Sequence, residues 1–378
     1  MQRRIQTVSL FFLMFVFAVS LVFAPRARAE APILKELSGA EKTRVAKLIE
    51  GANKEGSLVF ITNTMGPDVA QPLFEDFKKL YGLDNVKFRH TMKRSGAMIS
   101  TVKKDIGAGR NTFDVINVGS AIFFGQLIKR KLLMKYDSPG YKNFIPQVTG
   151  EAPGVAGKKG YYVSAASLVF GIVWNPKYVK KEIKTWNDVL DPKYKGKIIM
   201  INPMRSATIV NVWGAYRKVI PRSFFEKLAA MDPLLIPSHR THVRKVVAGE
   251  KWISVMTNVA HAYKAAKKGV KIRAVLPPGG TMALGYPMGI LAKSPHPNVA
   301  KLWIDYLHSR RGHMNYLNLK GFSTGIKSPK VTPLLKEFTP PLEKAELIPM
   351  DYDKIDTKQI EAWRKDYHDI FYKQLKKK

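Results

Sequence analysis

The sequence predicts an α/β protein built on largely parallel sheets, and three observations carry that expectation. Short apolar runs of strand character alternate with segments of helical apolar spacing along most of the chain. Once a leader is set aside, about 350 residues remain, enough for two domains on the usual length prior. The alternation then weakens over GKKGYYVSAASLVFGIVWNPKYV (157–179) and resumes, dividing the chain into two series.

In the first series SLVFIT (57–62) reads as a strand and VAQPLFEDFKKLYG (69–82) as a helix. NVKFRH (85–90) is a strand, and GAMISTVKKDIGAG (96–109) is a helix closed by the stop signals Gly107 and Gly109. FDVINVG (113–119) is a strand that leads into the helix SAIFFGQLIKRKLL (120–133). The weak stretch reads as extended, with small polar residues at Ser164 and Ser167, and fits a crossing between lobes.

The second series runs KGKIIMINP (195–203), a helix from IVNVW onward, then LLIP, KVVAGE, WISVMTN and KIRAVLPP. After PPGG (277–280), TMALGYPMGILAK is extended, and HPNVAKLWIDYLHSRRGHMNYL (296–317) reads as one amphipathic helix. IEAWRKDYHDIFYKQLKKK (360–378) reads as a surface helix whose cationic end suits the negative end of the helix dipole.

The leader has the pattern of a secretory signal, residues 1–29. Arg3 and Arg4 precede an apolar run from Val8 to Phe23, and Ala27-Arg28-Ala29 supplies a small-x-small cleavage site. A membrane anchor is the competing reading, but this run is short of the roughly 20 residues needed to span a bilayer. The chain has no cysteine, so thiolate metal sites and cysteine nucleophiles are excluded.

Net charge is +34; removing Arg3, Arg4, Arg26 and Arg28 leaves 59 basic against 29 acidic residues, or +30. That balance favours acidic ligands, anionic membranes or nucleic acid. The export signal, the even spread of Lys and Arg and the lack of a nucleic-acid motif argue against nucleic acid. A generally basic proteome or an acidic habitat would produce the same charge.

No GxSxG elbow, HExxH, Walker loop or GxGxxG is present, so no nucleophile with its base is proposed. The paired acids Asp351 and Asp353 lie in a charged stretch where solvation is the default.

PMRSAT (203–208) follows a strand and opens a helix. A helix N-terminus offers unpaired N–H groups to an anion. Ser206 and Thr208 add hydroxyls, Ala207 allows close approach, and Arg205 adds a fork suited to a carboxylate or phosphonate. On its own this string reads first as an ordinary helix cap, with Ser206 capping and Arg205 in water.

TWNDVLDPKYKGKIIMINP (185–203) resembles a motif of the solute-binding proteins of ABC importers, in their ferric-ion and small-molecule branch. LVFITNT, FDVINVGS, GIVWNPKYV and LGYPMGILAKSPHPNVAKLWIDYLHSRRG match that family in its order along nearly the whole mature chain. The resemblance implies a two-lobed type II periplasmic-binding-protein fold. Each lobe would be a mixed, mostly parallel sheet flanked by helices, with the ligand cleft between them. The lobes are expected at 30–165 plus 283–322 and at 166–282 plus 323–378.

The family closes its lobes over one solute and docks on a membrane permease, with no chemistry performed. The expected protein is therefore a periplasmic monomer without a cofactor. A sensor role or a secreted enzyme on the same fold are the alternatives.

In that frame the PMRSAT loop faces the cleft, and ligand contact becomes the favoured reading. Other expected contacts are Asn63-Thr64 after the first strand, Arg94-Ser95 before the second helix, and Ser120 after FDVINVG. Ser164 and Ser167 in the crossing, Asn258 at a strand end and Tyr286 in LGYP complete the set.

Ferric members hold iron with adjacent tyrosines after the strand that corresponds to WISVMTN. Here Val259 and Ala260 fill those places, and Tyr263 follows one helical turn later as a packing residue. The expected cargo is thus a small organic anion, with a ferric ion or ferric complex as the alternative. His239 and His242 form a loose metal candidate with no carboxylate near in sequence.

Overall fold

The structure is a computed structural model that describes residues 30–204 and 209–375. The expected signal, residues 1–29, and the expected contacts Arg205, Ser206, Ala207 and Thr208 lie outside the described residues.

The first sheet grows from β1 (Ser57–Thr62), all six residues of which are buried. A strand apolar on both faces belongs in the middle of a covered parallel sheet, and β1 sits between β2 (Lys87–Met92) and β3 (Val115–Asn117), parallel to both. Alternate side chains go to opposite faces. Phe60 meets Phe88 and Trp303, and the helix side chain Phe74 meets the same two rings, stacking on Phe88 at 4.2 Å. Val59 and Ile61 face the other way, into a cluster with Met98, Val102, Phe123 and Phe124.

The flanking helices are the short α1 (Pro32–Lys35), α2 (Gly39–Glu55), α3 (Pro67–Tyr81), α4 (Ser95–Gly107) and α5 (Ala121–Lys129). The one-turn α6 (Pro146–Thr149) follows.

The second sheet is organised by β4 (Ala166–Trp174), nine buried residues with a divided pairing. Its later half pairs antiparallel with β7 (Ile253–Asn258) and β8 (Arg273–Val275). Its first residues pair antiparallel with β9 (Ala283–Gly285) and β11 (Ser323–Thr324). Beyond β7 the sheet is parallel, through β5 (Ile198–Ile201) to β6 (Leu234–Ile236).

Around it pack α7 (Ile209–Val219), α8 (Arg222–Ala230), α9 (His239–Val247), α10 (Ala260–Ala266), α13 (Pro333–Phe338) and α14 (Thr357–Leu375). The chain returns to the first sheet through Tyr286 and Pro287, and β10 (Met288–Ile290) pairs antiparallel with β3. α11 (Pro297–His308) and α12 (Arg310–Lys320) follow.

Two expectations are corrected. The segment 296–317 is two helices, because Ser309 is extended (ψ 155°) and its hydroxyl caps α12 through the Gly312 N–H at 3.1 Å. KVVAGE holds the end of a helix, with Val246 buried on the last turn of α9, which ends at Val247. α14 is not merely superficial, since Tyr367, Ile370 and Phe371 are buried and the Tyr367 hydroxyl donates to Ile201 O at 2.9 Å. Its ring meets Trp213 edge-on at 5.0 Å. Among the described residues no helix is long and apolar enough to cross a membrane.

Candidate functional site

The carboxyl ends of β1, β2 and β7 open on one cavity of about 880 Å³, as expected for ligand sites in open α/β folds. Elements of both sheets line it. Asn63, Thr64, Met92, Tyr286 and Lys320 come from the first sheet's side, and Arg240, Asn258, His261 and Lys264 from the second's.

The first side is held by Asn117, the last residue of β3. Its carboxamide oxygen accepts from Thr62 Oγ1 at 2.9 Å and from Thr64 Oγ1 at 2.6 Å. Its Nδ2 donates to the carbonyls of Tyr286 and Pro287, both at 3.1 Å. One side chain thus ties the loop after β1 to the return segment. Asn63 donates to Ser95 Oγ at 2.6 Å, while its buried Oδ1 has no partner among the described residues. Gly119 is required beside them, because a Cβ there would lie 2.7 Å from Tyr286 Cε1. The Tyr286 ring stacks on Phe322 with centroids 5.7 Å apart.

On the opposite side Asn258 Oδ1 accepts from the Ala260 N–H at 3.0 Å and opens α10. The Asn258 N–H donates to His239 Nδ1 at 3.2 Å, so the His239 proton sits on Nε2. His242 is held between Ile236 O, 2.8 Å from its Nε2, and Ser254 Oγ, 3.1 Å from its Nδ1. Burial pushes His242 down to about 4 and His239 well below the ordinary histidine range. Burial keeps both imidazoles neutral; both nitrogens of His242 are engaged, while His239 Nε2 has no partner among the described residues. Among the described residues no group of three or more His, Asp or Glu side chains could hold a metal ion.

The charge of the cavity is one-sided. Arg240, Arg244, Lys264, Lys267, Lys268 and Lys320 line it against the single carboxylate of Asp68. Lys320 is the deepest of these cations, and its ammonium donates to the Thr64 carbonyl. Burial, reinforced by Lys264, pulls Lys320 down to about 8. Burial also lowers Lys264, and it holds His261 at about 4 with help from Arg240. A buried cation without a carboxylate is costly, and an anion entering here would relieve that cost.

Four of the expected contacts meet in this cavity: Asn63, Thr64, Asn258 and Tyr286. Ser95 stands one hydrogen bond behind Asn63. Arg94 is exposed at the N-cap of α4 and does not reach the cavity lining. Ser120 caps α5, accepting from the Phe123 N–H at 3.3 Å. Ser164 and Ser167 are fully buried in the strand junction; Ser164 packs on Gly285, and Ser167 Oγ lies 3.5 Å from Ser164 O.

Sequence reasoning missed the cations of α9, α10 and α12. Arg240 hid between two histidines weighed only as metal ligands. The repeat Lys264, Lys267, Lys268 places charges on the last turn of α10 and on the two residues just after it, the one pattern that could have pointed to a cationic wall.

The fold matches solved periplasmic binding proteins. AfuA from Actinobacillus pleuropneumoniae, solved with fructose-6-phosphate, superposes with a TM-score of 0.65 at 20% identity, over 84% of this chain and 99% of its own. A substrate-binding protein of an ABC transporter from Agrobacterium tumefaciens gives 0.67 at 13% identity, over 83% and 94%. Iron-bound HitA from Pseudomonas aeruginosa gives 0.61 at 17%, over 83% and 99%. At such identities the likeness shows the type II fold.

An uncharacterised protein of Haemophilus influenzae is 27% identical over 236 residues, 54% of this chain. This chain spans 63% of that relative's length. The model of bacterial extracellular solute-binding proteins matches residues 111–358, more than half of the sequence. With that match and the shared fold, the chain belongs to the bacterial extracellular solute-binding protein family.

Proposed function

We propose that this protein is the substrate-binding component of an ABC importer, exported by its first 29 residues and capturing a small organic anion. One observation carries the reading: six cationic side chains line the cavity against a single carboxylate. The lobes, 30–165 plus 283–322 and 166–282 plus 323–378, contribute to opposite walls. An anion touching Lys320 and Lys264 together favours the closed form, because it contacts both walls only there. The closed protein then delivers its solute to a membrane permease. Arg205, Ser206 and Thr208 are proposed to add donors from the segment between β5 and α7.

The test is a thermal-shift screen of carboxylates, phosphonates and ferric salts at low and high ionic strength. Anions raise the melting temperature, less so in high salt. Stabilisation by metals or polyamines with no response to any anion overturns the reading. A ferric complex is the second reading, favoured by the presence of a tyrosine, Tyr286, among the lining residues. A visible charge-transfer band on adding ferric ion would establish it over the first.

A further inference from the structure

Resting on the anion reading, we infer that the solute is amphipathic, a carboxylate or phosphonate head carrying an apolar body. Four large hydrophobic side chains are exposed among the described residues: Met92 at 50%, Ile122 at 36%, Val219 at 41% and Val247 at 37%. Two of the four, Met92 and Val247, line this cavity. They come from different walls, Met92 from the end of β2 and Val247 from the last turn of α9. Exposed apolar side chains gathered at one concave site mark a surface that awaits an apolar partner.

Behind them the lining continues through Leu168 and Val243 to the stacked pair of Tyr286 and Phe322. The ammonium of Lys320 lies beside this ring pair, 5.5 Å from the Phe322 centroid. Head and body therefore have adjacent seats: the anion at Lys320 and Lys264, the apolar part between the rings and the Met92 and Val247 lips. A wholly hydrophilic anion would satisfy the cations and leave those lips wet. Apolar walls with a few placed charges are the usual make-up of sites for such organic ligands.

The experiment is calorimetric titration of the purified protein with two matched pairs, phenylphosphonate against methylphosphonate and phenylacetate against acetate. In at least one pair the phenyl compound is expected to bind about tenfold tighter or better, with a more negative heat-capacity change. Val247→Asn and Met92→Gln alter exposed positions that the fold tolerates. Each is expected to cut the phenyl-over-methyl affinity ratio severalfold, a ratio from which any general loss of anion binding cancels. Equal affinities within both pairs overturn this inference and leave the anion reading standing. A phenyl preference untouched by both variants overturns the placement of the apolar body. Failure of all four compounds to bind at millimolar concentration overturns both readings.

Discussion

Replacing Lys320 with methionine separates binding from stability in one step. The Lys320 ammonium donates to the Thr64 carbonyl and lies 5.5 Å from the Phe322 ring centroid, with the Asp68 charge as its only acidic neighbour along the cavity. Holding that ammonium near pKa 8 instead of 10.5 costs the folded protein about 3 kcal/mol at neutral pH, at about 1.4 kcal/mol per tenfold change in proton affinity. Methionine keeps the stem's shape and removes the charge, at the loss of a hydrogen bond worth about 1 kcal/mol.

Lys320→Met is therefore expected to be about 1–2 kcal/mol more stable than the wild type at pH 7, and much weaker in binding anions. The pH dependence has a definite sign. Below about pH 8 the ammonium is charged in both folded and unfolded chains, and the whole penalty acts. Between about 8 and 10.5 the folded chain sheds its proton first, so wild-type stability rises with pH and the variant's advantage shrinks. Urea unfolding at pH 7 and pH 9.5 reads both effects. A variant less stable than the wild type at pH 7, or a gap that does not narrow at pH 9.5, refutes the reasoning.

Arg205→Ala is expected to weaken binding of an anionic probe about tenfold while the melting temperature without solute stays put; unchanged affinity removes Arg205 from the site. Gly119→Ala drives a methyl group against Tyr286 and is expected to cost about 1–3 kcal/mol in urea unfolding, with a loss of affinity that Gly125→Ala, in open space, does not share. Asp305→Ala removes the buried carboxylate that accepts from Arg44 Nη2 at 2.8 Å, from Tyr136 and from Ser138, although Arg44 keeps its pair with Glu41 at 2.7 Å. Such a loss is expected to cost about 1–3 kcal/mol without changing solute selectivity, as unfolding and titration together would show.

The regular parts of the fold were legible because local pattern and tertiary role agree in them. Every residue of SLVFIT is strand because every one is apolar or small and buried. The break at Ser309 was not legible. A serine inside an apolar helical rhythm reads as a tolerated polar residue, until the Gly312 N–H is seen to need its hydroxyl.

The site divided in the same way. Asn63, Thr64 and Asn258 could be found because strand ends are where ligands sit. Lys320 could not, because a lysine before a glycine at a helix end has a sufficient local explanation in the dipole. Its role depends on α12 being folded back beside the loop after β1, a meeting of residues 256 positions apart. Ser164 and Ser167 erred in the other direction. Small residues at a crossing suit close packing of strands as well as they suit a ligand, and here Gly285 takes that space.

The divided pairing of β4 also bears on when the protein can fold. Its first residues gain their neighbours only when β9 and β11 arrive, at Ala283–Gly285 and Ser323–Thr324. The first sheet waits too, since Phe60 is covered by Trp303 and β3 is flanked by β10. A ribosome that has made the first 280 residues has therefore completed neither half of the molecule. Contacts this distant in sequence close slowly. A chain whose two sheets are both completed only by its last quarter is expected to finish folding after its synthesis and not during it.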